Sequence, residues 1–329
     1  MSAVLDAAGP QAAHIGALWW LTFWLCVFVF VAVMAALGWA VWRSSRRARA
    51  RRNADAGAGP DVAPDLQPAA ADERRLGISV AVSVAVSSLL LVGLLVASVF
   101  TDRALAHLPL DNALAVRIIA HQWWWEVVYD DPLPDHVFST ANELVVPVGR
   151  PVVVTLQADD VIHSFWVPNL HGKKDLIPGR ISKIEFRADR EGTWVGRCAE
   201  YCGLQHAFMA YDVVALPPDK YAAWAEHQRM PAPEPASPAA QRGRELFVTG
   251  SCMLCHAIVG TTANGRKAPD LTHIASRRHL AAGRLTNTAD SLAQWIEDPQ
   301  QFKPGANMPT HFLPHDDLAA VVAYLETLQ

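Results

Sequence analysis

The chain carries the run Cys198-Ala-Glu-Tyr-Cys202-Gly-Leu-Gln-His206-Ala-Phe-Met209, which places two thiols, an imidazole and a thioether in one segment. These soft ligands suit copper far better than magnesium or calcium, because the latter ions prefer oxygen ligands. His163, upstream, is a candidate for a fifth ligand. One thiolate with two histidines would favour a single copper, whereas two thiolates can bridge two coppers that share one electron. The run therefore predicts a site that handles electrons.

Short β-rich runs, separated by turns, surround this segment. They lie at residues 114–129, 143–147, 150–156, 182–187, 192–196 and 209–216. Strands at this spacing predict a sandwich or a barrel. Strands on both sides of the cysteine run would hold it rigid, which favours fast electron transfer because the ligands then move little between oxidation states. For Met209 the alternative is core packing, a common use of methionine.

Two uncharged, apolar stretches precede the β-rich region, at about residues 17–42 and 76–100. Each has the length needed to cross a hydrocarbon core of about 30 Å, so we predict two transmembrane helices. Two buried core helices are the alternative, but soluble helices rarely stay uncharged beyond ~18 residues. Cys26 lies in the first stretch and is interpreted as an apolar filler.

Arginine is distributed unevenly around these stretches. No Lys or Arg precedes Arg43, whereas the connecting segment is rich in arginine. Its arginines are Arg43, Arg46, Arg47, Arg49, Arg51, Arg52, Arg74 and Arg75. The positive-inside rule predicts a cytoplasmic connecting loop, with everything from about residue 101 outside, in a two-pass protein of a bacterial-type inner membrane. The first stretch lacks a basic n-region and is too long for a secretory signal, so we expect it to be retained.

A second cofactor motif, Cys252-Met-Leu-Cys255-His256, follows the β-rich region. Cys-x-x-Cys-His is the attachment signal for a c-type haem, in which both cysteines form thioethers and the histidine binds the iron. Disulfides would be the default outside the cytoplasm, but the adjacent histidine favours a cofactor. Zinc is disfavoured because no second cysteine pair follows.

The composition divides the chain into four parts. We predict a transmembrane hairpin at residues 1–110, an all-β domain at 111–228, a Pro-rich linker at 229–241 and a helical domain at 242–329, which ends in a helix from Asp316. An extended linker of this kind reaches about 30 Å at ~3.1 Å per residue. It would make transfer between the two cofactor sites intramolecular.

Charge is also distributed unevenly between the two outer domains. Residues 111–228 contain 16 Asp or Glu and 10 Lys or Arg, whereas residues 229–329 contain 9 of each. The acidic surface of the first domain favours a basic partner rather than nucleic acid, with a plain solvated surface as the alternative.

From residue 18 to about residue 228 the sequence resembles subunit II of haem-copper cytochrome c oxidases. The matching stretches are the cysteine run, His121-Gln-Trp123-Trp-Trp125, Asp160-Val-Ile-His163-Ser-Phe-Trp-Val-Pro and Asp175-Leu-Ile-Pro-Gly-Arg180. The resemblance implies a cupredoxin-like barrel that holds a mixed-valence dinuclear copper centre, copper A. It implies the following ligands: Cys198 and Cys202 bridging both coppers, His163 and His206 on one copper each, Met209 as an axial ligand and Glu200 through its backbone carbonyl.

The same resemblance implies two further roles. The side chain of Glu200 would help to bind magnesium at the border with the catalytic subunit. Trp123 would be the point where electrons arrive from cytochrome c, although Trp124 stands where the family usually has Tyr. Anchoring at the membrane interface or core packing is the alternative for these tryptophans.

The last segment resembles the all-α class I cytochromes c. The stretches Ala268-Pro269-Asp-Leu-Thr and Pro304-Gly-Ala-Asn-Met308-Pro309 carry this likeness. It implies that Met308 is the second axial iron ligand and that the Pro269 carbonyl accepts the N–H of His256. Thioether ligation raises the haem potential. The competing distal ligands are His273, His279, His311 and His315.

These observations predict a subunit that accepts electrons for a terminal oxidase. Electrons would pass from cytochrome c or another respiratory donor through haem c and copper A to subunit I, where oxygen becomes water. Two transmembrane helices cannot supply the histidine-rich catalytic bundle, so that centre lies in another subunit. Subunit III and membrane lipid are further expected partners.

Three alternatives compete with this interpretation. The first is the corresponding subunit of a copper-containing nitric oxide reductase. The second is a copper-delivery or redox-sensing protein, which the absence of a Met- or His-rich tail disfavours. The third is a quinol oxidase subunit, which would lack the copper ligands.

Overall fold

The computed structural model describes residues 4–55 and 70–329. Contacts divide the chain into two compact units, one of residues 14–106 and the other of residues 107–329 with the segment before residue 14. All strands of the described residues and both cofactor motifs lie in the second unit.

Two long apolar helices, α1 (Pro10–Asp55) and α2 (Ala70–Leu105), contain the candidate membrane spans Pro10–Ala50 and Glu73–Leu105. None of the residues in their most apolar windows is buried, as expected for side chains that face lipid. Both helices extend beyond the predicted stretches. α1 continues past Trp42 because the following residues are mostly Arg and Ala, which are strong helix formers. Residues 56–69, the middle of the predicted cytoplasmic loop, lie outside the described residues.

In the described residues a β-sandwich of ten strands follows the helices. The strands are β1 (Leu114–His121), β2 (Trp124–Tyr129), β3 (Phe138–Ala141), β4 (Glu143–Pro147), β5 (Val152–Ala158), β6 (His163–Trp166), β7 (Lys174–Leu176), β8 (Ser182–Phe186), β9 (Gly192–Cys198) and β10 (Ala210–Leu216). One sheet has the order β3-β2-β1-β5-β8, and the other has the order β4-β10-β9-β6-β7. The pairs β1–β5 and β4–β10 are parallel, and the others are antiparallel.

The sandwich core follows from the alternation of its strands. Every second residue of β1 is buried, because successive side chains of a strand point to opposite faces. A helix, α3 (Pro218–Gln228), closes one end and packs Trp224 against Tyr129. The Tyr129 hydroxyl donates to the Val145 carbonyl at 2.9 Å and accepts from the Val145 N–H at 2.7 Å, so no buried polar atom of this ring is left unpaired. The predicted all-β domain is confirmed.

The C-terminal part is mostly helical, as predicted. Its elements are α4 (Pro238–Thr249), β11 (His279–Leu280), β12 (Leu285–Thr286), α5 (Ala289–Glu297), α6 (Pro299–Phe302) and α7 (His315–Leu325). Ser237 and Thr288 cap α4 and α5 by accepting backbone N–H groups. Phe247 and Tyr324 meet edge to face between α4 and α7. We refer to residues 240–329 as the C-terminal domain.

The residues predicted as a linker are bonded to the C-terminal domain. The Ala232 N–H donates to the Val259 carbonyl at 2.9 Å, and the Met230 carbonyl lies 3.2 Å from Nε2 of His273. A composition rich in proline predicts extended backbone, but it gives no information on these tertiary contacts.

Gly243 allows α4 and α7 to approach closely, and Gly243→Ala should therefore destabilise the C-terminal domain. A Cβ at this position would clash with the Ala320 carbonyl and the Tyr324 side chain. We expect a loss of about 1–3 kcal/mol, the usual effect of overpacking, measured by thermal unfolding followed by circular dichroism. Gly38→Ala is the matched control, because an added methyl there meets nothing within 4 Å. Equal stability of Gly243→Ala and wild type would contradict the close crossing.

Candidate redox centres

The loop between β9 and β10 contains the cysteine run, and strand pairing brings His163 beside it. β9 ends at Cys198 and β10 begins at Ala210, so the run leaves one strand and returns into its antiparallel neighbour. β6 pairs with β9, with Phe165 opposite Cys198. His163 lies two residues before Phe165, on the same face of β6. The sheet therefore places an imidazole next to the first cysteine of the run.

Five donor atoms of the predicted copper ligands lie together. Cys198 Sγ is 3.7 Å from Cys202 Sγ and 3.8 Å from His163 Nδ1. Cys202 Sγ is 3.6 Å from His206 Nδ1 and 3.8 Å from Met209 Sδ. Each thiol thus has its own imidazole neighbour, and the two halves of the cluster meet at the sulfur pair.

These distances fit a metal centre. A metal bonded at about 2.0–2.3 Å, as zinc is to nitrogen and sulfur, keeps its tetrahedral ligands about 3.3–3.8 Å apart. His163, Cys198 and Cys202 are buried, and their donor atoms lie within 4.8 Å of one another. Met209 is also buried, at 1% exposure. Four of the five residues are therefore shielded from water, His206 is half-buried, and the cluster has the soft donors that copper prefers.

Asp160 orients His163. Its Oδ1 lies 2.8 Å from Nε2 of His163, which leaves Nδ1 facing Cys198. Asp160 is fixed in turn by the backbone N–H groups of Gln122 and Val161. Such outer carboxylates fix the ring orientation of a metal-binding histidine. No role was predicted for Asp160, although a carboxylate three residues before a candidate histidine ligand can indicate a residue that orients that histidine.

The two thiols are electrostatically coupled. The hydrogen bond between the two sulfurs lowers the pKa of Cys198, while the same bond and burial raise the pKa of Cys202. Burial lowers the pKa of His163, but its contacts with Cys198 and Asp160 outweigh burial and raise it overall. The site therefore favours a thiolate, which is the form that binds metals.

Glu200 presents its backbone to the cluster. The Glu200 carbonyl oxygen lies 3.2 Å from Cys198 Sγ. Its side chain is half-buried and accepts from the Tyr201 N–H at 3.1 Å. The carbonyl is thus close to the donor atoms, whereas the carboxylate bonds to the loop itself.

The segment before β2 supports the cysteine loop. The carbonyl of Cys202 accepts from Nε2 of Gln122 and from Nε1 of Trp123, both at 2.8 Å. The next residue, Gly203, has a φ of +109°, and a Cβ there would lie 3.1 Å from both Gln122 and Trp123. Glycine is required for this close approach and backbone conformation.

Trp123 lies in the interior, between the cysteine loop and the C-terminal domain. Its exposed fraction is 8%, and its carbonyl accepts from Nζ of Lys303 at 2.6 Å. Burial lowers the pKa of the Lys303 ammonium to about 7. Trp124, which occupies the position of the usual tyrosine, instead stacks on His121 at 4.4 Å. Sequence reasoning gave no indication of Lys303, which is far from Trp123 along the chain.

The second motif forms a single compact turn. Residues Cys252–Leu254 form one 3₁₀ turn, and the N–H of His256 donates to the Cys252 carbonyl at 3.0 Å. Nδ1 of His256 donates to the Pro269 carbonyl at 2.8 Å, which leaves Nε2 as the available ligand atom. Burial lowers the pKa of His256, so the neutral imidazole that binds metals is favoured. Cys252 and Cys255 lie half-buried beside it.

Arg277 fits the anionic edge of a bound haem. The side chain is buried, and its Nε has no hydrogen-bond partner among the described residues. Its charge also contributes to the lowered pKa of His256, which places it near that ring. Another nitrogen of the guanidinium donates to the Asp270 carbonyl, and the charges of Asp270 and Glu143 act on it. The unpaired Nε is still costly to bury, and a haem carboxylate could accept from it. The sequence analysis did not identify Arg277.

The structure separates Met308 from most of the competing histidines. Met308 is half-buried and packs against the core of the C-terminal domain. His273 lies within hydrogen-bond distance of the carbonyls of Met230 and Gln329, and His279 pairs with Asp212. His315 is 96% exposed. The fourth, His311, lies near enough to lower the pKa of His256 and remains the competing ligand.

Two family models match the chain. Residues 133–216 match the model described as cytochrome c oxidase subunit II, periplasmic domain, and residues 240–329 match the cytochrome c model. These matches confirm both resemblances seen in the sequence. Together with the two apolar helices, the first match indicates a membrane protein with an extracytoplasmic domain.

Individual relatives give the same result. Cytochrome c oxidase subunit 2 of Alkalihalophilus pseudofirmus is 39% identical over 221 residues, which cover 67% of this chain and 62% of the relative. That of Bacillus sp. (strain PS3) is 34% identical over 230 residues, 66% of this chain and 63% of the relative. The chain thus spans somewhat less than two thirds of these relatives.

A solved structure is similar to part of the sandwich. It is the periplasmic domain of subunit II of cytochrome oxidase of Bradyrhizobium japonicum, 31% identical, with 35% of this chain and 93% of that one covered and a TM-score of 0.34.

Proposed function

Since residues 133–216 belong to the periplasmic-domain family of cytochrome c oxidase subunit II and residues 240–329 to the cytochrome c family, we propose that the chain is the electron-accepting subunit of a haem-copper terminal oxidase. The observation that carries the proposal is the cluster of four buried residues, Cys198, Cys202, His163 and Met209, with the half-buried His206, in which neighbouring donor atoms lie 3.6–3.8 Å apart. Copper A and haem c would supply one-electron carriers between a respiratory donor and subunit I.

The protein's own groups have distinct roles in this function. Cys198 and Cys202 would hold both coppers, with His163 and His206 on opposite sides and Met209 and the Glu200 carbonyl completing the set. The hydrogen bond to Asp160 keeps His163 from turning away. Burial keeps water from the ligands, so they move little as the charge of the site changes.

The haem site would use its own set of groups. Cys252 and Cys255 would form the two thioethers, and His256 and Met308 would bind the iron. The Pro269 carbonyl fixes the ring of His256, and Arg277 would pair with a haem carboxylate.

The likeness to oxidase subunits also supports a proposal for the partners and location. Subunit I, and with it subunit III, would receive this chain in a bacterial-type inner membrane, with the arginine-rich segment cytoplasmic and the two cofactor domains outside. The donor would be cytochrome c or a similar carrier. The Glu200 carboxylate would contribute to a magnesium site at the border with subunit I. The relatives described above are cytochrome c oxidase subunits, and neither of them supports the nitric oxide reductase alternative.

The number of coppers that share the unpaired electron tests this proposal. In the purified intact complex we expect a near-infrared band and a paramagnetic spectrum whose hyperfine pattern comes from two equivalent copper nuclei. A pattern from one copper nucleus, or copper absent after purification in a copper-replete host, would overturn it. The haem spectrum of the same sample reports that the chain is folded.

A further inference from the structure

The C-terminal domain docks on the sandwich through a basic hairpin. The Arg278 N–H donates to Oε1 of Glu143 at 2.6 Å, and Nδ1 of His279 lies 2.8 Å from Oδ2 of Asp212. Arg284 lies over the ring of Phe208 at 4.3 Å. A backbone hydrogen bond, a contact between an imidazole and a carboxylate and a cation–π contact thus join the hairpin to the sandwich. Directional contacts of this kind fix register and orientation.

A second contact joins the two domains beside the redox sites. Nζ of Lys303 donates to the Trp123 carbonyl, and Nε2 of Gln205 donates to the Pro304 carbonyl at 2.8 Å. Gln205 directly precedes the candidate ligand His206. A Cβ on Gly305 would lie 3.2 Å from the Leu204 side chain, so the two loops are in van der Waals contact.

The Lys303 loop is rigid up to Met308. The side chain of Gln300 donates to the carbonyls of Ala306 and Met308, at 2.9 and 3.0 Å, and accepts from the Gly305 N–H at 2.8 Å. A loop braced in this way moves as one body. The position of Lys303 and the position of Met308 are therefore linked.

Trp123 continues the connection on the other side. Its carbonyl accepts from Lys303, and its indole N–H donates to the carbonyl of Cys202. A series of two hydrogen bonds and one tryptophan thus joins the braced loop to a candidate copper ligand.

Lysine is an unusual residue for this buried contact between the two domains. Lys303 is only 3% exposed, although a buried ammonium loses its hydration and is retained only where it makes compensating contacts. Its long stem crosses the domain boundary, and its Nζ reaches the Trp123 carbonyl of the sandwich. These features point to a role at this one place rather than to general solubility.

We propose that Lys303 is a positioning residue that holds the Met308 loop against Trp123 and thereby sets the distance between the haem and copper sites. The proposal rests on the proposed function and deepens it. In the step concerned, haem c is oxidised by one electron as the copper pair is reduced by one. Lys303 exchanges no electron and acts through Trp123.

The test is Lys303→Met in the intact complex, with haem c reduced by a light pulse and its reoxidation followed. We expect the haem-to-copper rate to fall severalfold, because electron transfer slows steeply as its two sites move apart. Hydrogen exchange should rise at residues 203–206 and 303–306, a readout independent of activity. The haem and copper potentials, measured by potentiometric titration, should equal those of the wild type, so that the driving force for the transfer is the same. Lys220→Met, at an exposed lysine of α3, should behave as wild type.

Each other outcome has a defined meaning. An unchanged rate and unchanged exchange, or a slower rate fully explained by altered potentials, would overturn the positioning role. If Lys303→Met loses its haem or copper spectrum, the test is made with Gln205→Ala instead. A slower haem-to-copper rate in that variant would support the positioning role, and an unchanged rate would contradict it. A wild-type chain that holds both cofactors but transfers no electron between them would instead contradict the proposed function.

Discussion

Replacing Cys202 with serine is expected to abolish the copper centre. Cys202 Sγ is the atom that the donor atoms of Cys198, His206 and Met209 all approach within 3.8 Å, so its loss leaves the cluster without its shared donor. A serine oxygen is a hard ligand that copper binds poorly in this setting. Losing an outer partner of a metal site costs roughly 10- to 100-fold, and we expect the loss of this ligand to exceed about 100-fold in oxygen uptake.

Copper per chain, the near-infrared band and oxygen uptake should be measured on the same purified complex. Cys26→Ser is the matched control, since it makes the same chemical change at an exposed cysteine of α1, remote in sequence from both cofactor motifs. The haem spectrum should be normal in both variants. Two coppers retained in Cys202→Ser, with the shared-electron spectrum intact, would refute the ligand assignment.

Met308→Ala is expected to remove the low-spin, methionine-ligated haem spectrum. A thioether ligand raises the haem potential, so its loss should also lower the potential and hinder the reduction of haem c by its own donor. The measurements are the absorption spectrum and a potentiometric titration of the intact complex. The copper spectrum should persist, because the copper ligands lie on the sandwich.

Two control variants sharpen this test. Met230→Ala removes a methionine that is 46% exposed and should leave the spectrum unchanged. His311→Ala removes the histidine whose charge contributes to the lowered pKa of His256. A spectrum that survives Met308→Ala and is lost in His311→Ala would reassign the distal ligand to the histidine.

The sequence predicted most of the candidate copper cluster because its donors are local. Cys198, Cys202, His206 and Met209 lie within one loop, and their spacing is visible without a fold. His163 is remote, so its spacing from the loop does not mark it; it was an upstream candidate whose role as a ligand came from the resemblance. The fold class was also predictable, because strand alternation and apolar stretches are periodic features of the sequence.

The contacts between domains could not be predicted in the same way. Lys303 and Trp123 lie 180 residues apart, and Gln205 and Pro304 lie 99 apart. Neither pair has a spacing or composition that marks it. The proline-rich segment illustrates the same limit, since the Ala232 bond to Val259 depends on a tertiary neighbour. The predicted apolar stretches were shorter than α1 and α2. Hydropathy marks the part of a helix that lies in the membrane, whereas the helix itself continues as long as its backbone hydrogen bonds are formed.

The contact between Lys303 and Trp123 is buried, and this burial makes two electron-transfer steps distinguishable by their response to ionic strength. A donor that arrives by diffusion is steered by surface charges, and salt screens these charges over about 8–10 Å. Buried charges such as that of Lys303 are screened much less. On the proposed function, added salt should therefore alter the arrival of an external donor and leave the passage between the chain's own two sites unchanged. The salt dependence of the overall rate would then identify the slower of the two steps.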